Sequence, residues 1–392
     1  MSRQTPVSVA LDAFGRGLAP WLTHQALPIW CGPGRRLDGA FVEALEEEAR
    51  PAMIPRRLRV QPRQAYVYAQ AMRFGWRGPA RAIIESAFEA MDRDHLRVDG
   101  LYRTLVAADG TSLDETAMVY DHAFILLALA TWSQAAPDLT DLEDRAVALR
   151  ERLLAKAMRS EVLVEAGPHP YQANAQMHLL EACQAWMRVG KDAGWAALAD
   201  DIVALARTRF IDPTSGALFE FFDEDWRVTP QAAEQIEPGH QFEWATLLSR
   251  QGRLTGDDSL APVARRLFTV GARGLFGRPS VAVDVMNVEG SNAGVARFWP
   301  QTEWMKAALA LAETAEGEER EGFLSSAMKA ATAVQLYLKP NGLWRDRRTE
   351  PGGFEAGPSP ASSFYHLMAA VEQFNLTAEA AIAPGVARID LS

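Results

Sequence analysis

A period of about sixty residues runs through the chain and narrows its folding options more than any other feature. Six segments begin polar or ring-bearing and then turn continuously apolar. They start at Pro62 (PRQAYVYAQAM), Tyr120 (YDHAFILLALATW), Asn174 (NAQMHLLEACQAW), Glu237 (EPGHQFEWATLL), Trp299 (WPQTEWMKAALALA) and Pro360 (PASSFYHLMAAVEQF). Aligning Arg63, His122, His178, His240, Glu303 and His366 gives separations of 59, 56, 62, 63 and 63 residues. Stretches of a second kind alternate with them, at 79–95, 142–159, 194–211, 260–276 and 319–338. These carry apolar residues at three- and four-residue spacing with charges between, the pattern of helices with one solvated face. Val7 to Trp30 supplies the same element ahead of the first unit.

A helix that is apolar on nearly every face needs protein all around it. Six such helices, each escorted by an amphipathic one, predict an inner ring sheathed by an outer ring. The expected fold is therefore all-α, an (α/α)6 barrel of six helical hairpins, with residues 1–392 forming a single domain. A length of 392 residues alone would suggest two or three domains. No linker or low-complexity segment divides this chain.

Composition removes several classes of function. The 40 basic and 50 acidic residues leave a net charge of −10, and no basic stripe offers itself to nucleic acid. The longest apolar run, Ala123 to Ala130, is far shorter than the roughly 18 residues of a membrane span. The N-terminus lacks the apolar core of a signal peptide. Cys31 and Cys183 cannot build a disulfide framework. The expectation is a cytoplasmic protein that binds neither nucleic acid nor membrane. A homodimer is compatible with this, although the outer helices show no heptad seam.

Helix-start signals place the special residues. Pro62, Pro238, Pro300 and Pro360 suit first helical turns, and Asn174 suits an N-cap. Arg63, His122, His178, His240, Glu303 and His366 then occupy the first turns of parallel inner helices and converge on one mouth. Four of the chain's seven histidines fall in this register. A lone histidine on an inner helix is ordinarily a packing residue. Four at one level, with Arg63, Asn174, Glu243 and Glu303, indicate a polar pocket. His240 and Glu243 are three apart and share a helix face, while Pro238-Gly239 allows a close backbone approach. Paired imidazoles suit proton transfer near neutral pH. Aromatic residues nearby (Tyr66, Tyr120, Trp244, Trp299, Trp304, Tyr365) suit either sugar faces or the core. Tyr66 and Trp244 read as core. There is no HExxH, no P-loop and no GxGxxG after a strand; neither a metal nor a cofactor is expected. The carboxylates Asp121, Glu243 and Glu303 keep a glycoside hydrolase open as a distant alternative, and a non-catalytic sugar-binding protein is another.

NAQMHLLEA (174–182), EPGHQFEW (237–244), FWPQTEW (298–304) and SSFYHL (362–367), preceded by PRQAYVYA (62–69), resemble the N-acylglucosamine 2-epimerase family over roughly residues 20–380. The family's fold is an (α/α)6 barrel. The resemblance implies that His240 and His366 are the acid/base pair and that Glu243 hydrogen-bonds the sugar or His240. It makes Arg63 a contact to substrate oxygens, Asn174 and His178 sugar contacts, and Trp299 and Trp304 pocket walls. His122, in a YDxAF-like element, and Glu303 complete the substrate-binding set, whereas Tyr102, in a loop with only one glycine, matches the family's pattern poorly. The implied chemistry opens a sugar ring and moves a proton through a cis-enediolate. Proton return to C1 gives a ketose, and return to C2 gives an epimer. The substrate expected is a free monosaccharide, D-mannose going to D-fructose as in the family's D-mannose isomerases, with 2-epimerisation of N-acylglucosamine or another aldose as the alternative. A C6 sulfonate or phosphate would want a cationic patch, which Arg345, Arg347 and Arg348 in the loop from Gly342 to Ser363 could form, although a charged loop is more often merely solvated. That loop is long enough to act as a rim or lid.

Overall fold

The alternation of buried and half-buried helices appears as two concentric rings. The computed structural model describes residues 5–159, 162–167, 169–228, 232, 235–292, 294–349 and 353–392. The inner ring is α3 (Val60–Arg73), α5 (Val119–Ala135), α7 (Ala173–Met187), α9 (Pro238–Thr255), α11 (Trp299–Ala312) and α13 (Ser362–Glu379). Each packs on the next, and α13 closes the ring against α3. The outer ring is α4 (Ala80–His95), α6 (Leu142–Ala157), α8 (Gly194–Leu205), α10 (Leu260–Ala272) and α12 (Gly317–Tyr337). Its sixth member is α1 (Pro6–Trp21), which runs through a wide turn at Leu22–Ala26 into the short α2 (Leu27–Cys31). The chain is thus an (α/α)6 barrel.

Helix α5 shows why the inner ring forms. Every residue from Ala123 to Trp132 is buried, so the helix has no face to offer water. Each fully buried large aliphatic or aromatic side chain stabilises the fold by roughly 1.5–3 kcal/mol. Ring contacts tie the two layers together: Trp30 of α2 meets Phe364 of α13 with centroids 6.3 Å apart, and Phe14 of α1 meets Phe374 of α13 at 6.2 Å. Tyr68 of α3 donates to the Leu27 carbonyl at 2.8 Å, fastening the first inner helix to the N-terminal outer segment.

The inner helices all start at one end. There, the connections between units pair into short antiparallel ladders. Ala44–Leu45 pairs with Ser359–Pro360, Tyr171–Gln172 with Phe221–Phe222, and Arg56–Arg57 with Leu105–Val106. Pairing satisfies backbone groups in segments packed down over the ring. The loop from Gly342 to Ser363 belongs to this rim. Its Arg347–Thr349 segment pairs with both Ala296–Arg297 and Gly353–Phe354; residues 350–352 lie outside the described residues. No described helix is long and apolar enough to cross a membrane.

Candidate active site

The mouth holds a cavity of about 360 Å³ whose walls include Arg63, Tyr120, Asn174, His178, His240, Trp299 and His366. All seven come from the first two turns of inner helices, as the register predicted. Helix N-termini carry partial positive charge and unpaired N–H groups, so this end is primed for oxygen-rich ligands.

The two histidines are built alike. His240 Nδ1 lies 2.8 Å from Glu220 Oε1 and His366 Nδ1 lies 2.8 Å from Glu303 Oε1. In each ring the carboxylate takes Nδ1, leaving Nε2 as the unengaged nitrogen. Trp299 stands between them, its ring 5.1 Å from that of His240 and 5.2 Å from that of His366. A side chain at Gly239 would strike it, because a Cβ there would sit 2.4 Å from the indole. The close approach expected at Pro238-Gly239 is therefore made by Trp299.

The surroundings of the two rings differ. Burial opposes a charge on His240, but Glu220, Glu237 and Glu243 outweigh it and raise the imidazole to about 10. His366 is held well below the ordinary histidine value by burial, then by Arg63 and Lys306. Lys306 Nζ is 2.6 Å from Glu303 and 3.8 Å from Glu243, fully buried and kept charged by those carboxylates. Burial raises Glu303 to about 7, and burial with the neighbouring Glu303 charge raises Glu243 to about 7.

Arg63 reaches the cavity without a carboxylate partner among the described residues. Its guanidinium lies 3.9 Å over the Phe124 ring and donates to the Tyr120 hydroxyl at 2.7 Å. An unneutralised, buried cation at the wall of a cavity is a strong stabiliser of oxyanions. Burial lowers His178 to about 4, so it stands as a neutral imidazole. The Asn174 side-chain oxygen is buried and unpaired, available to a ligand hydroxyl.

Several expectations are corrected. His122 is withdrawn from the cavity. Its Nδ1 lies 2.6 Å from the Met118 carbonyl and its Nε2 accepts the Tyr102 N–H at 3.0 Å, so backbone consumes both nitrogens. Trp304 is one residue past Glu303 and so about 100° round the helix. It faces the outer layer, where its indole N–H donates to Ser326 at 2.9 Å. Glu243 is not the hydrogen-bond partner of His240. It lies beneath the cavity, 3.7 Å from His178 Nδ1, and Glu220 takes the position beside His240. Tyr102, too, is buried, donating to Asp92 at 2.7 Å. Arg345, Arg347 and Arg348 are absent from the described cavity wall, which instead carries Arg57, Arg59 and Arg297.

Glu220 and Lys306 are the residues that sequence reasoning missed. Lys306 left a signal as the lone cation in an otherwise apolar inner helix, three residues after Glu303. Glu220 left none, because it precedes its helix and meets His240 only through the fold. As for cations, His178, Glu181 and Glu243, and also Glu243, Glu303 and His366, bring ligand-type atoms within 4.8 Å of one another. A metal there would share its carboxylates with the Lys306 ammonium.

Residues 39–370 match the model of the N-acylglucosamine 2-epimerase (GlcNAc 2-epimerase) family. The chain belongs to that family. It is an enzyme of the isomerase class, a sugar isomerase or epimerase. It is 42% identical, over 90% of its length and 95% of the relative's, to a protein of Rhizobium meliloti (strain 1021) named mannose-6-phosphate isomerase. The same fold is found in a D-mannose isomerase structure (TM-score 0.84, 18% identity, 95% of this chain and 99% of that one). It is also found in cellobiose 2-epimerase from Spirochaeta thermophila DSM 6192 (TM-score 0.84, 20% identity, 96% and 99%).

Proposed function

We propose that the chain, working as one catalytic unit, interconverts D-mannose and D-fructose through a cis-enediolate. The observation that carries this reading is a pair of buried histidines flanking Trp299, each with Nδ1 2.8 Å from a buried glutamate, beside an unneutralised Arg63. His366 Nε2 takes the C2 proton of the open-chain aldose. His240, as imidazolium, protonates the aldehyde oxygen O1 as the C1–C2 double bond forms. Arg63 stabilises the negative charge that develops on the enediolate oxygens. His366 then returns its proton to C1 and the proton on O2 goes back to His240, leaving the C2 ketone. Asn174 and neutral His178 orient hydroxyls, and Trp299 packs on the C–H face of the sugar. Glu303 and Glu243, both behind the wall, act through His366, Lys306 and His178. Cys31 and Cys183 are unpaired, which suits the reducing cytoplasm.

The relative's name supports ketose formation over epimerisation and brings in a second reading, mannose 6-phosphate. Arg57, Arg59 and Arg297 on the wall favour that reading. Against it, each is already matched by a carboxylate: Glu43 at 2.6 Å, Asp121 at 3.1 Å and Asp284 at 2.9 Å. A neutral sugar leaves those pairs undisturbed. The test is NMR in D2O with mannose, mannose 6-phosphate, glucose and N-acetylglucosamine. Mannose yielding fructose deuterated at C1 supports the proposal. Conversion of only the phosphorylated sugar selects the second reading, and deuterium at C2 of an aldose product selects an epimerase. His240→Ala and His366→Ala are each expected to lower kcat/KM by about 10²–10⁴; wild-type rates in both would remove the assignment.

A further inference from the structure

The opposite end of the ring gathers the C-terminal turns of the inner helices, and with them a second charged cluster. Arg73 of α3, Arg188 just past α7, and Arg250 and Arg253 of α9 meet two carboxylates, Glu372 of α13 and Glu313 at the end of α11. Both carboxylates are fully engaged. Glu372 Oε1 accepts from Arg73 at 3.0 Å and lies 3.7 Å from Arg188, while Oε2 accepts from the Tyr66 hydroxyl at 3.4 Å. Glu313 Oε1 accepts from Gln373 at 2.6 Å and Thr377 at 2.8 Å, and its Oε2 pairs with Arg253.

Arg250 is left over. It is only 7% exposed, and its Nε is buried without a partner. Among the described residues it makes no hydrogen bond and no ion pair. Four guanidiniums against two carboxylates leave two positive charges in excess, within a chain whose net charge is −10. The crowding is felt by its neighbours: burial, then Arg250 and Arg188, lower Arg253 to about 10. Helix C-termini lend guanidiniums some negative potential, but among the described residues no carbonyl accepts a hydrogen bond from Arg250. A buried, unpaired guanidinium costs several kcal/mol, and a planar fork of donors is matched by an oxyanion. The flanking side chains of Arg73 and Arg188 are 26% exposed and that of Arg253 36%, so solvent reaches the cluster.

We propose that this end of the barrel binds a small oxyanion of the phosphate class, with Arg250 as the central donor flanked by Arg188 and Arg253. The site is separate from the catalytic mouth and stands whether or not the sugar assignment holds.

The probe is inorganic phosphate, with Tm of the full chain measured against chloride at matched ionic strength. Wild-type protein is expected to show a saturable rise. Arg250→Met, which relieves the crowding, is expected to melt no lower than wild type in chloride and to show no phosphate-dependent rise. Arg250→Lys keeps the charge without the fork and is expected to weaken phosphate by about tenfold. Arg63→Ala and Arg297→Ala, at the other end, keep the rise. Glucose 1-phosphate matching inorganic phosphate would place the ligand among phosphomonoesters, and failure to match would favour the free ion. No rise in wild type beyond chloride, or an equal rise in Arg250→Met, overturns the proposal.

Discussion

His240 and His366 approach one cavity from equivalent helix turns, each with Nδ1 2.8 Å from a buried glutamate, and yet they are driven to opposite protonation states. The difference lies one residue further back. Glu303, behind His366, is neutralised by Lys306 at 2.6 Å, so His366 experiences an oriented acceptor but little net negative charge. Glu220, behind His240, has no cation among the described residues, and its Oε2 is buried without a partner. Its full charge therefore falls on the imidazole. Lys306, with Arg63 and burial, thus sets His366 apart from His240, whose neighbours Glu220, Glu237 and Glu243 are all acidic, and in the proposed reaction one dyad serves as base and the other as acid. Aldose–ketose isomerisation needs that asymmetry, since one group must arrive empty and the other loaded.

Removing Lys306 is the strongest way to break the contrast. In Lys306→Met the Glu303–His366 pair is expected to hold a proton at neutral pH. Imidazolium beside carboxylate and imidazole beside carboxylic acid both leave a proton on Nε2, and in either arrangement the base is lost. At pH 7 kcat/KM should fall about 10- to 100-fold, and the acid limb of its pH profile should rise by about one unit or more. Lys306→Met/Glu303→Gln removes both charges and should bring the limb back down, which separates lost neutralisation from lost packing. An unmoved limb in the single variant would mean that Lys306 does not set the His366 proton.

Glu220→Gln tests the other dyad more gently. The amide oxygen still accepts from Nδ1, but the charge that holds His240 at about 10 is gone. The alkaline limb of kcat/KM should then move down toward the ordinary histidine range, with roughly tenfold loss at pH 8. Stability carries the same sign. A histidine raised on folding stabilises fully below its unfolded value of 6.5 and loses that contribution as pH climbs through about 10. Wild-type Tm is expected to decline across that window more steeply than that of Glu220→Gln. Parallel curves would remove Glu220 as the source of the charge.

The ring was legible because burial imposes a pattern: helices surrounded by protein cannot carry charged faces, so alternation at a sixty-residue period is visible in composition alone. The register also placed Arg63, His178, His240 and His366 at one mouth, since helix starts have strong local signals. It fixed which turn a side chain leaves from, but not what its nitrogens meet. Glu220 and His122 mark that limit, as each owes its role to residues of another segment. Trp304 shows a finer one, where a step of one residue along an inner helix exchanges cavity for outer layer.

His122 therefore provides the control for the comparison, a third imidazole at the same level with no glutamate on its ring nitrogens among the described residues. Its nitrogens bridge the Met118 carbonyl and the Tyr102 N–H at 2.6 and 3.0 Å, and burial lowers its pKa. Neutral and doubly engaged, it has neither a proton to give nor a lone pair to offer substrate. His122→Ala strands the buried Tyr102 N–H and leaves a cavity, while the Met118 carbonyl keeps the backbone N–H of residue 122 at 3.2 Å, a loss of roughly 2–4 kcal/mol of stability on unfolding in urea. In the folded fraction kcat should stay within about twofold of wild type, against the hundredfold or greater losses expected of the dyad histidines. A large fall in kcat with Tm unchanged would put His122 back among the reacting groups. It would also show that six-fold register, rather than the carboxylate behind each ring, selects the catalytic histidines.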